Sequence, residues 1–259
     1  MKYDSEGLQL LAQNAAYHDL GVLPSQMLPY PDMATFFIRP FKLPEYKMLS
    51  VAAELGELSH LLRAVDNVIS YPVQRLTIGD FYYVLLWLRL KSMPKAPYIT
   101  EWKCHQPFFV NRETKVPLLY SQDNWPSLEA LKSDYDSTEC GTENTSILHD
   151  TDTTILSLDE DFVLPEGFDF PRMSIYEDRA AALADHEWAQ LAPAIQWIAG
   201  DTWADKVAAA EANPDLIGEA LDINRSNVHG ISEEVTFFCN RCRIKHTTAL
   251  KLNALSFFR

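Results

Sequence analysis

The sequence predicts an α+β fold: a helical N-terminal half packed on a small β module, with a helical insertion splitting that module in two. Three observations predict it. Apolar residues recur at steps of three and four between Pro44 and Lys91. Apolar–polar alternation runs up to Cys104, up to Cys239, and onward from Cys242. Helical periodicity then returns between about 172 and 222, between those cysteine-bearing strands.

Residues 1–36 read as an extended arm. A short amphipathic piece (Leu8, Leu11, Ala15) precedes Pro24, Pro29 and Pro31, which favour an extended path with few backbone donors. The arm is either a surface-draped terminus or a segment that orders on a partner. Residues 37–97 read as a helical domain. A short strand leads to Pro44 in a first helical turn, and Met48, Val51, Leu55, Leu58, Leu62, Val65 and Ile69 form one apolar stripe. A second helix, from about Asp80 to Lys91, is apolar nearly all round and should be deeply buried.

Residues 98–171 form an acidic β and loop segment. "YITEWKC" alternates as a strand ending at Cys104, and "TTILSL" is the next strand-like run, after Cys140 and Gly141. Residues 172–230 read as the helical insertion. Ser174 and Glu177 have capping-box spacing, Pro193 should kink or split the helix, and Gly200 suits its stop. One or two short helices follow, broken at Asn213 and Pro214. Residues 231–259 close the chain as a hairpin around "CNRC".

The chain has 259 residues and a formal net charge of −14. Ser121 to Glu187 holds 17 acids and 3 bases, so the acidity belongs to one segment, and the remainder is neutral. Such a chain is a poor general binder of nucleic acid, because phosphate repulsion opposes it. No basic and apolar leader opens the sequence, and no apolar run is long enough to cross a bilayer. A soluble chain in a reducing cytoplasm is expected, where cysteines more often bind metal than pair as disulfides.

A C-x-x-C turn between two strands, Cys239 and Cys242, is one half of a zinc ribbon, and four-coordinate zinc then needs two more ligands. Cys104 and Cys140 each sit beside a strand-like run and complete an all-cysteine site, with His105 and His246 in reserve because the Cys104–Cys140 spacer is long for a ribbon half. The alternative is two buried thiols and an incidental C-x-x-C. The β module is zinc-ribbon-like on the first reading, and its zinc is structural, with no open position. Redox use of the pair is disfavoured, because a redox C-x-x-C is expected at a helix N-terminus.

Catalytic patterns are absent from the sequence: no G-x-S-x-G, H-E-x-x-H, P-loop or G-x-G-x-x-G. His18 and His60 fall on predicted helices and His186 in "ADHEWAQ", each better read as surface or core than as a base. Asp159, Glu160 and Asp161 read as a solvated charge run rather than a cation site. The expectation is a non-enzyme.

Arg39, Pro40 and Phe41, then Glu45 and Lys47, form a lead-in to the first helix. Thr77, Asp80, Leu88, Arg89, Lys91 and Ser92 punctuate the second. With Cys140 and Gly141, and the closing Cys239, Cys242, Phe257 and Phe258, these residues taken in order resemble the base-plate protein family of T4-like bacteriophages. The likeness is good from Phe36 to Cys104, moderate over the last 30 residues, loose from His105 to Asn227 and absent before Phe36. It implies a non-enzymatic structural or assembly protein of the baseplate hub of a contractile tail. Such a protein contacts other baseplate and tail proteins, resides in the host cytoplasm during assembly or in the virion tail, and can oligomerise within a symmetric baseplate. Two rivals remain. One is a transient assembly chaperone absent from the virion. The other is a zinc-ribbon nucleic-acid regulator, suggested by Arg241, Arg243 and Lys245 around the turn.

Overall fold

The structure, a computed structural model, describes residues 2–32, 34–94, 98–119, 125–148, 154–176, 190–232 and 234–249. Glu177, His186, Phe257 and Phe258, singled out in the sequence, lie outside these residues, as does the side chain of His246. Helices and small antiparallel sheets together make the fold α+β. The chain divides into two compact units. One draws on Met1–Pro94 and Thr154–Ser232, the other on Lys95–Thr153 and Glu233–Lys251.

The first unit is mainly helical. Helix α1 (Ser5–Gln13) is capped by Asp4 and buries none of its residues. Strand β1 (His18–Asp19) pairs with β2 (Phe37–Ile38), so His18 is on a strand and not on the expected helix. The segment between them is not an extended arm. Leu23, Tyr30 and Phe36 are buried in the core, and Tyr30, Phe36 and Tyr71 stack with ring centroids 4.8–5.4 Å apart. Gln26 and Met27 turn the chain with φ of 55° and 64°, folding the prolines into a compact loop rather than a rod.

Helix α2 (Leu43–Leu55) has Pro44 in its first turn and α3 (Leu58–Asp66) follows. The expected single stripe breaks here because Gly56 adopts φ 71°, a left-handed stop that releases the chain into a new direction. Val51 and Leu55 consequently face solvent, while Leu49 and Ala52 are buried. Glu45 is also buried. Its carboxylate accepts from the Lys42 amide at 2.8 Å, closing the helix start, and from Arg39 at 3.0 Å. Burial opposes its ionisation, but Arg39 and the Lys42 amide hold its carboxyl below the usual range.

Helix α4 (Ile78–Ser92) is as deeply placed as its sequence predicts, with Phe81, Val84, Leu85 and Leu88 fully buried. Thr77 caps it. Gly79 and Gly230 permit its crossing with β8 (Gly230–Ile231). A Cβ on Gly79 would lie 2.3 Å from the His229 carbonyl, and one on Gly230 would lie 2.5 Å from that of Gly79. Strand β8 pairs with β7 (Ile155–Leu156), the only part of "TTILSL" in a strand among the described residues. A second core gathers Trp197, Ile198, Ile195 and Ala192 with α6 (Ala192–Ile195), α7 (Trp203–Ala212) and α8 (Asp215–Ser226). Pro193 sits in the first turn of α6, where its missing N–H costs no helical bond, and Pro214 separates α7 from α8.

His229 is a partly buried titratable group of this unit whose ordinary pKa lies near neutral pH. Its Nε2 lies 2.9 Å from Thr77 Oγ1, and it packs against Phe170 and Trp197. Burial lowers its pKa below 6.5, against the pull of the Asp80 carboxylate. The unfolded chain therefore binds the proton more readily, and stability falls as pH drops through 6.5 towards the lower folded value. The expected melting curves show this unit losing stability between pH 7.5 and 5, by at most about 1.4 kcal/mol per pH unit from this group. A His229→Gln variant is expected to flatten that dependence; an unchanged slope in the variant refutes the assignment.

In the second unit β3 (Tyr98–Lys103) pairs with β6 (Glu143–Leu148), and β9 (Glu234–Phe238) with β10 (Lys245–Ala249). A third ladder joins β4 (Pro107–Asn111) to β5 (Tyr135–Glu139), which follows directly on α5 (Leu128–Asp134). The strand after Cys140 is thus β6, and not "TTILSL" as expected from the sequence. "ENTSIL" extends β3 without the apolar alternation that marks a strand.

Candidate metal centre

Two hairpins in the second unit each end in a pair of cysteines, and they repeat one hydrogen-bond plan. In the first, Cys104 closes β3. Its amide donates to the Thr142 carbonyl at 2.9 Å, and the Gly141 amide donates to the Cys104 carbonyl at 2.9 Å. In the second, the Cys239 amide donates to the Ile244 carbonyl and the Arg243 amide to the Cys239 carbonyl, both at 3.0 Å. The residue after each second cysteine is left-handed, with φ of 61° at both Gly141 and Arg243. Glycine takes this conformation freely, whereas Arg243 is held in it by the hairpin around it.

The halves differ only in what separates their cysteines. Two residues separate Cys239 from Cys242, while β4, α5 and β5 lie between Cys104 and Cys140. The β4–β5 ladder returns the chain to its starting point, and the Cys140 amide donates to the Gln106 carbonyl at 2.9 Å across the base of this excursion. The long spacer is therefore a closed excursion from the first hairpin, and Cys104 and Cys140 stay together at its base.

All four cysteines are buried, and their sulfurs lie within 4.8 Å of one another. Cys104 and Cys242 are 3.7 Å apart, as are Cys140 and Cys239. A disulfide needs about 2.05 Å, so these are free thiols. A tetrahedron with metal–sulfur bonds of about 2.3 Å has edges of about 3.8 Å, so the two close pairs already match its edges. The group can hold a metal ion. Neither reserve ligand is placed there by the described residues. The His105 side chain is exposed and its Nδ1 meets Glu139 at 2.6 Å, while His246 is assigned only by its strand register opposite Phe237.

The electrostatics favour thiolate on one side of the cluster. Burial alone pushes the Cys239 thiol up, but the amides of Cys242 and Arg241 and the neighbouring thiols outweigh it and bring the group down to about 7. Burial pushes Cys104 and Cys242 up, with the amides of Gln106 and Ile244 respectively in partial opposition. Four thiols packed this closely cannot all ionise without a cation among them, which is the state a divalent metal creates.

Residues that sequence reasoning did not single out complete the surroundings. Asn144 donates to Cys239 Sγ at 3.7 Å, and Arg241 donates to the Cys140 carbonyl at 2.9 Å while covering the Phe108 ring at 4.2 Å. Arg241 is thus engaged within the unit. Asp159 and Asp161 are exposed, and Asp159 accepts from the Asp161 amide in a local turn. Among the described residues the four cysteines are the grouping able to hold a metal, and no helix is long and apolar enough to cross a membrane. Comparison of the chain with protein-family models, with curated proteins and with solved structures gives no match.

Proposed function

We propose that Cys104, Cys140, Cys239 and Cys242 hold one structural zinc ion, which makes the second unit a zinc-ribbon-like module. The observation that carries this reading is the buried set of four sulfurs with the two 3.7 Å contacts. All-thiolate sites with four protein ligands are closed, so the centre serves architecture and supplies no reactive water. Elemental analysis of protein purified without added metal is expected to give about one equivalent of zinc; less than half an equivalent, unaffected by Cys239→Ser, sinks the assignment.

The biological setting we propose is non-enzymatic: a structural or assembly protein of a phage baseplate hub, working through contacts with other baseplate and tail proteins. This rests on the sequence resemblance. Arg241, one of three bases that suggest a nucleic-acid regulator, is occupied by Cys140 and Phe108, which favours the protein-binding reading over that rival. Quantitative mass spectrometry of purified virions beside infected-cell lysate is the deciding measurement. A fixed, small copy number in the particle is the expected result. Presence in lysate with none in virions identifies a transient assembly chaperone, and absence of association with any tail protein overturns the setting.

A further inference from the structure

Asn144 is 3% exposed and makes three polar contacts, two of which join the two cysteine hairpins. Its Oδ1 accepts from the Asn240 amide at 2.9 Å. A backbone N–H can only donate, so this bond fixes which end of the side-chain amide is oxygen. Nδ2 must then face the other way, where it donates to the Thr142 carbonyl at 2.9 Å and to Cys239 Sγ at 3.7 Å. Asn144 belongs to β6, opposite Trp102 in the first hairpin, whereas Asn240 and Cys239 belong to the second. One side chain therefore holds the turn of one half against the strand of the other, with an N–H aimed at a sulfur.

We propose that Asn144 is a positioning residue of the metal centre: it orients Cys239 and stabilises that sulfur as a thiolate through an N–H···S bond. The proposal rests on reading the four cysteines as a metal site. A divalent ion bound by four thiolates leaves a net charge of two minus inside a buried cluster. Donors to sulfur spread that charge and raise the affinity of the site, as outer-shell partners do in metal centres generally. Asparagine suits the task because its amide gives both a donor for sulfur and an acceptor for the Asn240 turn in one rigid group.

The test compares Asn144→Asp and Asn144→Ala with the wild-type chain, using zinc competition against a chelator and the sulfur-to-cobalt charge-transfer spectrum of the cobalt(II)-loaded protein. Aspartate keeps the shape and the acceptor for Asn240 but replaces the donors by a negative charge beside sulfur. Alanine removes everything. If Asn144 acts as a donor, affinity falls roughly 10–100-fold in the alanine variant and further in the aspartate variant, and the charge-transfer band moves in both. If Asn144 only fills space, the aspartate variant resembles the wild type and alanine is worst; that order overturns the proposal, as do three superimposable spectra. Should the aspartate variant fail to fold, the alanine spectrum decides, a shifted band supporting the proposal and an unshifted one ending it. A wild-type chain that takes up neither zinc nor cobalt overturns the metal reading and this inference together, whereas tight wild-type binding with unaltered variants removes the role of Asn144 alone.

Discussion

Replacing Cys239 with serine is expected to abolish metal binding and unfold the β-rich unit formed by Lys95–Thr153 and Glu233–Lys251, while the helical unit keeps its own melting transition. The reason is the place of the cysteines in its core. Among the described residues, the buried apolar cluster of the β-rich unit is the four cysteines and Phe108, with Trp102, Val110 and Ile244 partly buried around them. The cysteines are thus the centre of that cluster, and a small domain built around a metal site depends on it as a staple. Zinc binding to zinc-finger peptides releases about 10–16 kcal/mol, and binding to a site that exists only in the folded state is folding free energy. Serine offers a hydroxyl that does not ionise near neutral pH, and Cys239 is the thiol most ready to become a thiolate. A strong chelator should reproduce the effect in the wild type. Hydrogen exchange provides the measurement, with protection in β3, β6, β9 and β10 lost and protection in α3 and α4 kept. One equivalent of zinc retained by the variant, with the strand amides still protected, refutes the expectation.

How far the fold could be read from sequence depended on whether the deciding contacts were local. The strand before Cys104 and the hairpin around Cys239 and Cys242 were legible because alternation and the C-x-x-C spacing are written within a few residues. Helix α4 was legible because its apolar residues run nearly all round. The excursion between Cys104 and Cys140 was not. Strand β5, "YDSTE", is almost wholly exposed and polar, and it forms a strand through its pairing with Pro107–Asn111, almost 30 residues away in the chain. The break at Gly56 was also hidden, since the steps of three and four continue across it in sequence while the backbone turns. The four cysteines that the structure brings together were legible as a group from residue type. What brings them together, the repeated amide pattern at Thr142 and Ile244 and the bridge from Asn144, is carried by backbone geometry that no residue spacing records.

The N-terminal segment shows the same limit and leads to the other large expected effect. Asp80 is fully buried in the third position of α4, where a carboxylate complements the helix N-terminus. It does not reach back to the Thr77 amide as in an ordinary capping box. Tyr30 takes that place: the Thr77 amide donates to the Tyr30 hydroxyl at 3.1 Å, and that hydroxyl donates to Asp80 Oδ2 at 2.6 Å. Thr77 Oγ1 donates to the same oxygen at 2.9 Å, and the Ser25 amide donates to Oδ1 at 3.0 Å. Burial and the Asp80 carboxylate push the Tyr30 hydroxyl well above its usual pKa, so it remains a donor. Asp80 is therefore the anchor that fixes the loop carrying Ser25 and Tyr30 to the start of α4. Asp80→Ala strands three buried donors, each costing about 1–3 kcal/mol when unpaired, and the expected loss is roughly 3–5 kcal/mol after partial relaxation. Asp80→Asn keeps the shape and one acceptor, so its expected loss is smaller, while Tyr30→Phe loses about 1–2 kcal/mol. Denaturant titration of the helical unit ranks the three. Limited proteolysis adds the structural check, because a released loop between β1 and β2 is cut in Asp80→Ala under conditions that spare the wild type. Equal stability of Asp80→Ala and the wild type, with the loop still resistant, shows that apolar packing around Leu23 and Phe36 holds the segment without its polar anchor.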